Sequence, residues 1–321
     1  MQPTPVIAVL AGNEPVEGLA ALQREAEVRI TDAAGLPAAL AGADILYLWD
    51  FFADGVRQAW PAAGSLQWIH VPAAGVDKLL FPELVTSDVV LTNARGIFDQ
   101  PMAEHVLGAM LHFAKDFGRA AAQQQQRQWH RYPTTDLAGA SVLVAGTGSI
   151  GRCTARLLTA VGMRVQGLGR TARTGDPDFG TVHAGTNFAA AVGDFDYVVL
   201  AAPLTPSTRG MLSREVLAGL KPTAVLINVG RGALADEPAL EEALRAGKLA
   251  GAALDVFETE PLPGHSGLWE LPNVLITPHL SGDAKKQLPA LARQFADNLA
   301  AWKAGRPLAN VVDKQLGFVA S

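Results

Sequence analysis

The sequence predicts an α/β fold built from two Rossmann-like domains, each a doubly wound parallel sheet. Three observations predict it: short apolar strands alternate with helical patterns in the first hundred residues, a glycine-rich turn joins strand to helix at Val142–Gly151, and a second series of strands follows that turn. Alternation of this kind builds parallel sheets with helices on their faces. A chain of 321 residues has room for two such domains.

The first series of elements precedes the glycine-rich turn. A long helical pattern runs from Pro101 to about Gln126, and proline suits the first turn of a helix. Before it, strands are predicted at Val6–Leu10, Val28–Thr31, Ile45–Trp49, Trp68–Val71 and Val89–Thr92, with helices at Leu19–Glu25, Leu36–Ala41 and Gly55–Trp60.

The second series starts at Ser141, and a last helix runs from Ala284 to about Ala304. That helix comes too late to add another strand–helix–strand unit, so we expect it to return to the first domain. The predicted organisation is a substrate-binding domain at 1–97, a dinucleotide-binding domain at 98–283 and a returning C-terminal helix at 284–321. The further strands of the dinucleotide-binding domain are expected at Arg164–Leu168, Tyr197–Ala201, Ala224–Val229, Gly251–Val256 and Val274–Thr277.

The glycine-rich turn has the Gly-x-Gly-x-x-Gly spacing of a dinucleotide-binding fingerprint, and its strand–turn–helix context makes the pattern specific. Gly146 permits the sharp turn, Gly148 lets backbone N–H groups approach a pyrophosphate, and Gly151 lets the helix and strand pack closely. The positive end of the helix then faces the diphosphate. The expected cofactor contacts in this turn are Gly146, Thr147, Gly148, Ser149, Ile150 and Gly151.

The next strand indicates which nicotinamide dinucleotide binds. In NAD enzymes an acidic residue about twenty positions after the fingerprint accepts hydrogen bonds from the adenosine ribose. Gly169 stands in its place here, Arg170 and Arg173 follow, and Thr171 offers a hydroxyl. Loss of the acid removes repulsion towards a 2′-phosphate, and the guanidinium groups attract one. The sequence therefore favours NADP over NAD, while an exposed basic turn is the alternative.

Composition excludes several classes of protein. The net charge of −5, without any Lys/Arg cluster, argues against nucleic acid or an anionic membrane as a partner. No apolar stretch has the length of a membrane span, the N-terminus has no signal-peptide pattern, and no metal site is predicted. Cys153 is the single cysteine and fits a reducing cytoplasm, where we expect the protein to work.

Three polar residues stand at the ends of later strands: Arg231, Glu260 and His279. The carboxyl ends of parallel strands face the ligand crevice of an open α/β sheet. The guanidinium can hold a substrate carboxylate through paired, charge-assisted hydrogen bonds. The imidazole can exchange the proton that accompanies hydride transfer, and the carboxylate can orient it and favour its protonated form.

With these segments in order, the chain resembles the D-isomer-specific 2-hydroxyacid dehydrogenases over nearly its whole length. The shared order of so many segments is highly specific. The segments are Ala73–Asp77, Thr92–Gly96, Ala103–His105, the fingerprint, Pro203–Thr208, Asn228–Gly232 with Asp236 and Glu237, Asp255–Leu262 and Thr277–His279.

The resemblance implies roles for individual residues. Arg231 would bind substrate, His279 would be the acid/base and Glu260 its partner, whereas Glu258 does not align with the catalytic carboxylate. The cofactor side would include Pro203, and Asp255 would hold the nicotinamide carboxamide. The substrate side would include backbone N–H groups around Ala74 and Gly75 and the aromatic ring of Trp49. A place in the hydrophobic core would explain the tryptophan at position 49 equally well. The family also implies a homodimer, as the apolar helix from Pro101 suggests.

Departures from the family pattern narrow the choice among the branches of the family. Phe98 stands where the formate dehydrogenase branch has asparagine, and Ala74 stands where the phosphite-oxidising branch has lysine. The glyoxylate and hydroxypyruvate reductases match best, so a small 2-oxo acid is the expected substrate. Two alternatives stay open: an NAD-dependent dehydrogenase of a bulkier 2-hydroxy acid, and a dinucleotide-sensing protein like the corepressors of this fold.

Overall fold

The computed structural model describes residues 4–12, 15–51 and 53–320. The chain divides into two compact units. Unit 1 consists of Met1–Phe98 together with Ala284–Ser321, and unit 2 consists of Asp99–Asp283. Each unit contains a sheet dominated by parallel strands, as the sequence predicts for two doubly wound domains.

The sheet of unit 1 is parallel, with the strand order β2-β1-β3-β4-β5. Its inner strands are mostly apolar and almost entirely buried, as in parallel sheets whose two faces are covered by helices. The strands are β1 (Val6–Leu10), β2 (Glu27–Thr31), β3 (Ile45–Tyr47), β4 (Trp68–Val71) and β5 (Val90–Asn93), and the helices between them are α1 (Leu19–Glu25), α2 (Leu36–Leu40), α3 (Val56–Ala59) and α4 (Pro82–Val85).

The sheet of unit 2 has the order β13-β12-β11-β10-β6-β7-β9-β8. The chain reverses its winding between β6 and β10, and ligands bind at such a switch point in open α/β sheets. All pairs are parallel except β8 with β9, an antiparallel hairpin at the sheet edge that the sequence patterns did not predict. The strands are β6 (Ser141–Ala145), β7 (Arg164–Gly169), β8 (Arg173–Asp176), β9 (Gly180–Ala184), β10 (Tyr197–Leu200), β11 (Val225–Asn228), β12 (Gly251–Leu254) and β13 (Val274–Ile276).

The helices of unit 2 correct one prediction. The single helix expected from Pro101 to about Gln126 is two helices, and the second begins after Asp116. Asp116 has a φ of 51° and its carboxylate accepts the N–H of Arg119, so it starts a new helix as an N-cap residue. The helices are α5 (Asp99–Ala114), α6 (Phe117–Gln125), α7 (Ser149–Ala160), α8 (Phe188–Ala191), α9 (Arg214–Gly219) and α10 (Glu237–Arg245).

The C-terminal segment completes unit 1. Helix α11 (Gln287–Lys303) begins three residues later than the expected Ala284. Its Phe295 ring stacks on Tyr47 of β3, with centroids 3.9 Å apart, and lies 5.1 Å from Trp68 of β4. After α11 the chain continues the sheet beyond β5, where the N–H of Val312 donates to Leu91 at 2.8 Å.

None of the helices in the described part of the chain combines the length and the apolar character needed to cross a membrane.

Candidate active site

The fingerprint turn connects β6 to α7 at the switch point of unit 2. Gly146 has a φ of 116°, which favours glycine, and a Cβ there would collide with the backbone of Ala201. A Cβ on Gly151 would overlap the carbonyl oxygen of Gly146. The packing of the folded chain therefore requires glycine at both positions.

Gly148 differs from these two glycines. It is the residue before α7, its φ is −78°, and a Cβ there would meet no protein atom within 4 Å. The folded chain gives no reason for glycine at this position, whereas a diphosphate approaching the N-terminus of α7 does. The turn, with Thr147, Ser149 and Ile150 around it, therefore fits a dinucleotide.

The end of β7 has little room for the acidic side chain of NAD enzymes. A Cβ on Gly169 would lie 3.1 Å from the Thr147 hydroxyl oxygen and 3.3 Å from a methyl carbon of Val182, which is tighter than an ordinary contact. Arg170 and Thr171 follow on an exposed turn. The side chains of Thr147 and Val182 would thus have to move by a few tenths of an ångström to admit the Cβ of an acid here.

Arg173 is tied to a buried carboxylate. Its Nε and Nη2 donate to Oδ2 of Asp176 at 2.9 and 2.8 Å, and the Asp176 side chain is only 2% exposed. Arg152, on α7, donates to both oxygens of Asp176 at 3.0 Å and so ties the edge hairpin to the fingerprint helix. Hydrogen bonds from Arg152 hold the pKa of Asp176 far below its usual range, although burial opposes the shift. The sequence patterns missed Asp176 because they did not predict β8 and β9.

His279 and Glu260 form the shortest acid–base contact at the strand ends of unit 2. Nδ1 of His279 lies 2.7 Å from Oε2 of Glu260, and each side chain is 32% exposed. The other oxygen of Glu260 accepts the N–H of Phe257 at 2.9 Å. Burial raises the pKa of Glu260, but hydrogen bonds from His279 and Phe257 and the charges of His279 and Arg231 outweigh it, so the pKa lies below its usual value.

Arg231 follows β11 in the loop next to Glu260. A Cβ on Gly232 would overlap the Phe257–Glu258 peptide, so glycine lets the two loops touch. Asn228 shapes the turn through its amide, which donates to the Arg231 carbonyl at 3.0 Å and accepts the N–H of Gly230 at 3.1 Å. The structure therefore brings Arg231, Glu260 and His279 together, whereas Glu258 is exposed and its N–H binds Glu237.

Asp255 is the buried centre of the loop that carries His279. The residue is 1% exposed, and its carboxylate accepts the N–H groups of Leu280 and Ser281 at 2.9 and 2.8 Å and the hydroxyl of Thr277. Burial raises the pKa of Asp255, but these hydrogen bonds outweigh burial and leave the pKa below its usual value. Asp255 thus holds the turn at His279, and the nicotinamide contact implied by the resemblance stays a prediction.

The remaining expected residues lie at strand ends in their own units. In unit 2, Pro203 follows β10, the neighbour of β6, and its carbonyl accepts the Thr208 hydroxyl at 2.7 Å. In unit 1, Ala74 and Gly75 lie in the loop after β4. Trp49 follows β3, is only 7% exposed, and its indole N–H donates to Pro15 at 3.0 Å. Those contacts suit a core residue, and a substrate contact for Trp49 stays a prediction.

The described residues contain no group of three or more His, Cys, Asp or Glu side chains that could hold a metal ion.

Comparisons with known proteins identify the family of this chain. Residues 107–281, more than half of the chain, match the profile of the NAD binding domain of D-isomer specific 2-hydroxyacid dehydrogenases. The chain is also 34% identical over 262 residues to glyoxylate/hydroxypyruvate reductase A of Serratia proteamaculans, covering 79% of this chain and 82% of that protein.

Two solved structures share the complete fold. One is an NADPH-dependent glyoxylate/hydroxypyruvate reductase from Sinorhizobium meliloti in complex with NADP and sulfate, with a TM-score of 0.85, 30% identity, and coverage of 98% of this chain and 100% of that chain. The other is a D-isomer specific 2-hydroxyacid dehydrogenase from Xanthobacter autotrophicus in complex with NADPH and MES, with a TM-score of 0.85, 32% identity and the same coverage.

Proposed function

Because this chain belongs to the D-isomer specific 2-hydroxyacid dehydrogenase family, we propose that it reduces a small 2-oxo acid of the glyoxylate or hydroxypyruvate type, with NADPH as its preferred cofactor. The observation that carries the proposal is the His279–Glu260 contact of 2.7 Å beside Arg231. It provides a proton donor, a carboxylate that favours the protonated donor, and a cation for an acidic substrate.

His279 supplies the proton for reduction. With Nδ1 against Glu260, the opposite ring nitrogen, Nε2, gives its proton to the substrate carbonyl oxygen as that oxygen becomes a hydroxyl. The fingerprint turn would hold a nicotinamide dinucleotide, which would supply the hydride for the carbonyl carbon. Glu260 orients the ring and stabilises the imidazolium that reduction consumes. In the oxidative direction the neutral imidazole accepts the proton.

Two groups are assigned to the substrate acid. The Arg231 guanidinium offers a planar pair of N–H donors that matches a carboxylate, and lysine cannot reproduce this geometry. In unit 1, the N–H groups of Ala74 and Gly75 are assigned to the substrate carboxylate, as the resemblance implies. A small substrate is favoured because two relatives, 34% and 30% identical to this chain, are named for glyoxylate and hydroxypyruvate.

Preference for NADPH is supported by the end of β7. The contacts of Gly169 with Thr147 and Val182 leave little space for an acid that would bind the ribose of NADH. Arg170 and Thr171 then present a cation and a hydroxyl on an exposed turn. A 2′-phosphate gains charge-assisted hydrogen bonds there, which NADH cannot make. The two solved relatives were crystallised with NADP and NADPH.

We also propose a homodimer that works in the cytoplasm. Trp129, in the segment after α6, is 94% exposed, and Phe117 at the start of that helix is 53% exposed. Large exposed aromatic side chains are typical of protein–protein interfaces. The single cysteine, Cys153, suits a reducing compartment. Sedimentation velocity should show a dimer for the wild type and a monomer fraction for Trp129→Ser.

A spectrophotometric panel tests the function. Purified protein is mixed with NADPH or NADH and with glyoxylate, hydroxypyruvate, pyruvate, phenylpyruvate or a branched 2-oxo acid, and absorbance at the nicotinamide band is followed. We expect the fastest NADPH oxidation with glyoxylate and hydroxypyruvate. A preference for NADH and bulky acids would support the dehydrogenase alternative. Tight dinucleotide binding without turnover of any acid would support the corepressor-like alternative.

A further inference from the structure

The loop after β4 is held by its carbonyl groups. The carbonyl oxygen of Ala73 accepts the N–H of Ala94 at 3.0 Å. The carbonyl oxygen of the next residue, Ala74, accepts the side-chain amide of Asn93 at 2.6 Å. Two successive carbonyls thus point to the segment that ends β5, which an extended strand cannot do because its carbonyls alternate in direction.

This arrangement sets the direction of two backbone N–H groups. In a planar trans peptide the N–H points opposite to the preceding carbonyl. The N–H groups of Ala74 and Gly75 therefore both point away from Asn93 and Ala94. Within the described residues, neither N–H donates to a protein acceptor. Successive N–H groups turned to one side form a concavity that binds an anionic oxygen.

The side chain of Asn93 is itself fixed in one orientation. The residue is 4% exposed, its Oδ1 accepts the N–H of Arg95 at 3.2 Å, and its backbone N–H donates to Asn310 at 3.2 Å. Rotating the amide by 180° would place its oxygen against the Ala74 carbonyl and its nitrogen against the Arg95 N–H. The contacts therefore fix which amide atom faces Ala74.

We infer that Asn93 is a positioning residue for substrate binding: its amide holds the Ala74–Gly75 peptide so that the N–H of Gly75 faces the carboxylate of the 2-oxo acid. The inference rests on the proposed function. The 73–74 peptide is anchored by a backbone donor, Ala94, which side-chain substitution leaves in place. Only the 74–75 peptide is anchored by a side chain, so Asn93 determines whether the N–H of Gly75 is aligned with the substrate carboxylate.

The most informative variant is Asn93→Asp, which keeps the shape of the side chain but replaces the donor to the Ala74 carbonyl with an acceptor. A carboxylate oxygen cannot donate to the Ala74 carbonyl, and the two oxygens repel. The peptide turns over to give its N–H to the new carboxylate, and the Ala74 carbonyl then faces the substrate acid. We expect the KM for the 2-oxo acid to rise about 100-fold for Asn93→Asp and about 10-fold for Asn93→Ala, as the loss of one charge-assisted hydrogen bond implies.

Two further measurements separate positioning from general damage. The Kd of oxalate for the NADP-bound protein, measured by calorimetry, should rise in parallel with KM, while kcat at saturating substrate changes less than threefold. The Kd of NADPH should stay at the wild-type value. Asn93→Ala keeps the test valid if Asn93→Asp fails to fold, because it removes the donor without burying a charge.

Asn298 provides a matched control in the same unit. It is 3% exposed and its amide both donates to and accepts from the backbone of Ala309, at 3.1 and 2.8 Å. Asn298→Asp should lower the melting temperature without changing KM or oxalate binding. Wild-type KM and oxalate Kd in both Asn93 variants would overturn the inference while leaving the proposed function intact. A wild type that neither binds oxalate nor reduces any 2-oxo acid would overturn both.

Discussion

Asp255 holds His279 through the backbone: its carbonyl oxygen accepts the N–H of His279 at 2.9 Å, and its carboxylate accepts the N–H groups of the next two residues. His279 has a φ of 53°, a left-handed conformation that is uncommon for a residue with a side chain. Such a backbone persists only where its surroundings over-determine it. The Asp255 contacts do so, and they aim the imidazole at Glu260.

Asp255→Asn should therefore lower kcat. The amide nitrogen of the new side chain would face a backbone N–H, so one donor of the turn loses its acceptor, at a cost of about 1–3 kcal/mol in stability. We expect at least a tenfold fall in kcat with an unchanged NADPH Kd, measured by fluorescence titration. A raised NADPH Kd with normal kcat would instead favour the nicotinamide contact. Asp236→Asn, which alters a helix-capping carboxylate bonded to Ala239 at 3.0 Å, is the control.

The Glu260–His279 contact predicts the pH dependence. Reduction needs a protonated imidazole, so its rate should fall as pH rises. The pKa of Glu260 lies below its usual value, so the carboxylate is charged at neutral pH and supports the imidazolium. Glu260→Gln removes that charge and should move the fall to lower pH by about one unit. Stopped-flow reduction rates across pH provide the measurement, with Glu258→Gln as the control. An unmoved profile in Glu260→Gln would contradict the pairing.

Arg231→Lys tests the substrate cation. Lysine keeps the charge but loses the planar pair of donors. We expect kcat/KM for the 2-oxo acid to fall about 100-fold, equivalent to about 2.7 kcal/mol of transition-state stabilisation. The melting temperature should hardly change. Arg209→Lys, at an exposed position of the same unit, should retain wild-type kinetics, and near-normal kinetics in Arg231→Lys would show that another group holds the carboxylate.

Cofactor selection can be tested at the two ends of β7. Arg170→Ala should weaken NADPH binding by tenfold or more and leave NADH binding unchanged, because only NADPH carries the 2′-phosphate. Arg164→Ala, an exposed arginine at the other end of the same strand, should affect neither. Fluorescence titration of the wild type and both variants with each cofactor gives the six dissociation constants. Equal losses for the two cofactors in Arg170→Ala would refute the NADPH assignment.

His70 predicts how the fold responds to acid. It is fully buried in unit 1, and burial lowers its pKa to about 3. The unfolded chain therefore binds more protons than the folded chain from about pH 6.5 down to that value, and stability falls as pH falls through this window. His70→Asn should lower the melting temperature at neutral pH but flatten its decline towards pH 4. Replacement of the exposed His265 by Asn should leave the slope unchanged.

Much of the fold follows from local patterns. The glycine spacing and the apolar strand before it predict β6, the fingerprint turn and α7, because the signal for each lies in residues that are close together in the sequence. The sequence pattern does not show the break at Asp116, because good helix formers such as Ala120–Ala122 and Gln123–Gln125 follow it and extend the helical composition. The β8–β9 hairpin was missed because its strands are short and polar and are stabilised by Asp176, Arg152 and Arg173, which meet only in the folded unit.

The candidate site divides in the same way. Arg231, Glu260 and His279 stand in recognisable segments, so the sequence alone suggests them. The dependence of the Ala74–Gly75 peptide on Asn93 cannot be read from sequence, because it depends on the direction of one carbonyl group. The core contacts of Trp49 likewise involve residues far apart in the chain.

The stacking of Phe295 on Tyr47 has a consequence for synthesis on the ribosome. Domains usually fold in the order in which they emerge. Here residues 99–283 are complete before α11 exists, so unit 2 finishes first although unit 1 begins the chain. At a synthesis rate of about 5–20 residues per second, β3 and β4 remain without the Phe295 ring that covers them for on the order of ten seconds or more. The first strands made belong to the last unit to close, and that interval is when a nascent-chain chaperone would protect the protein most.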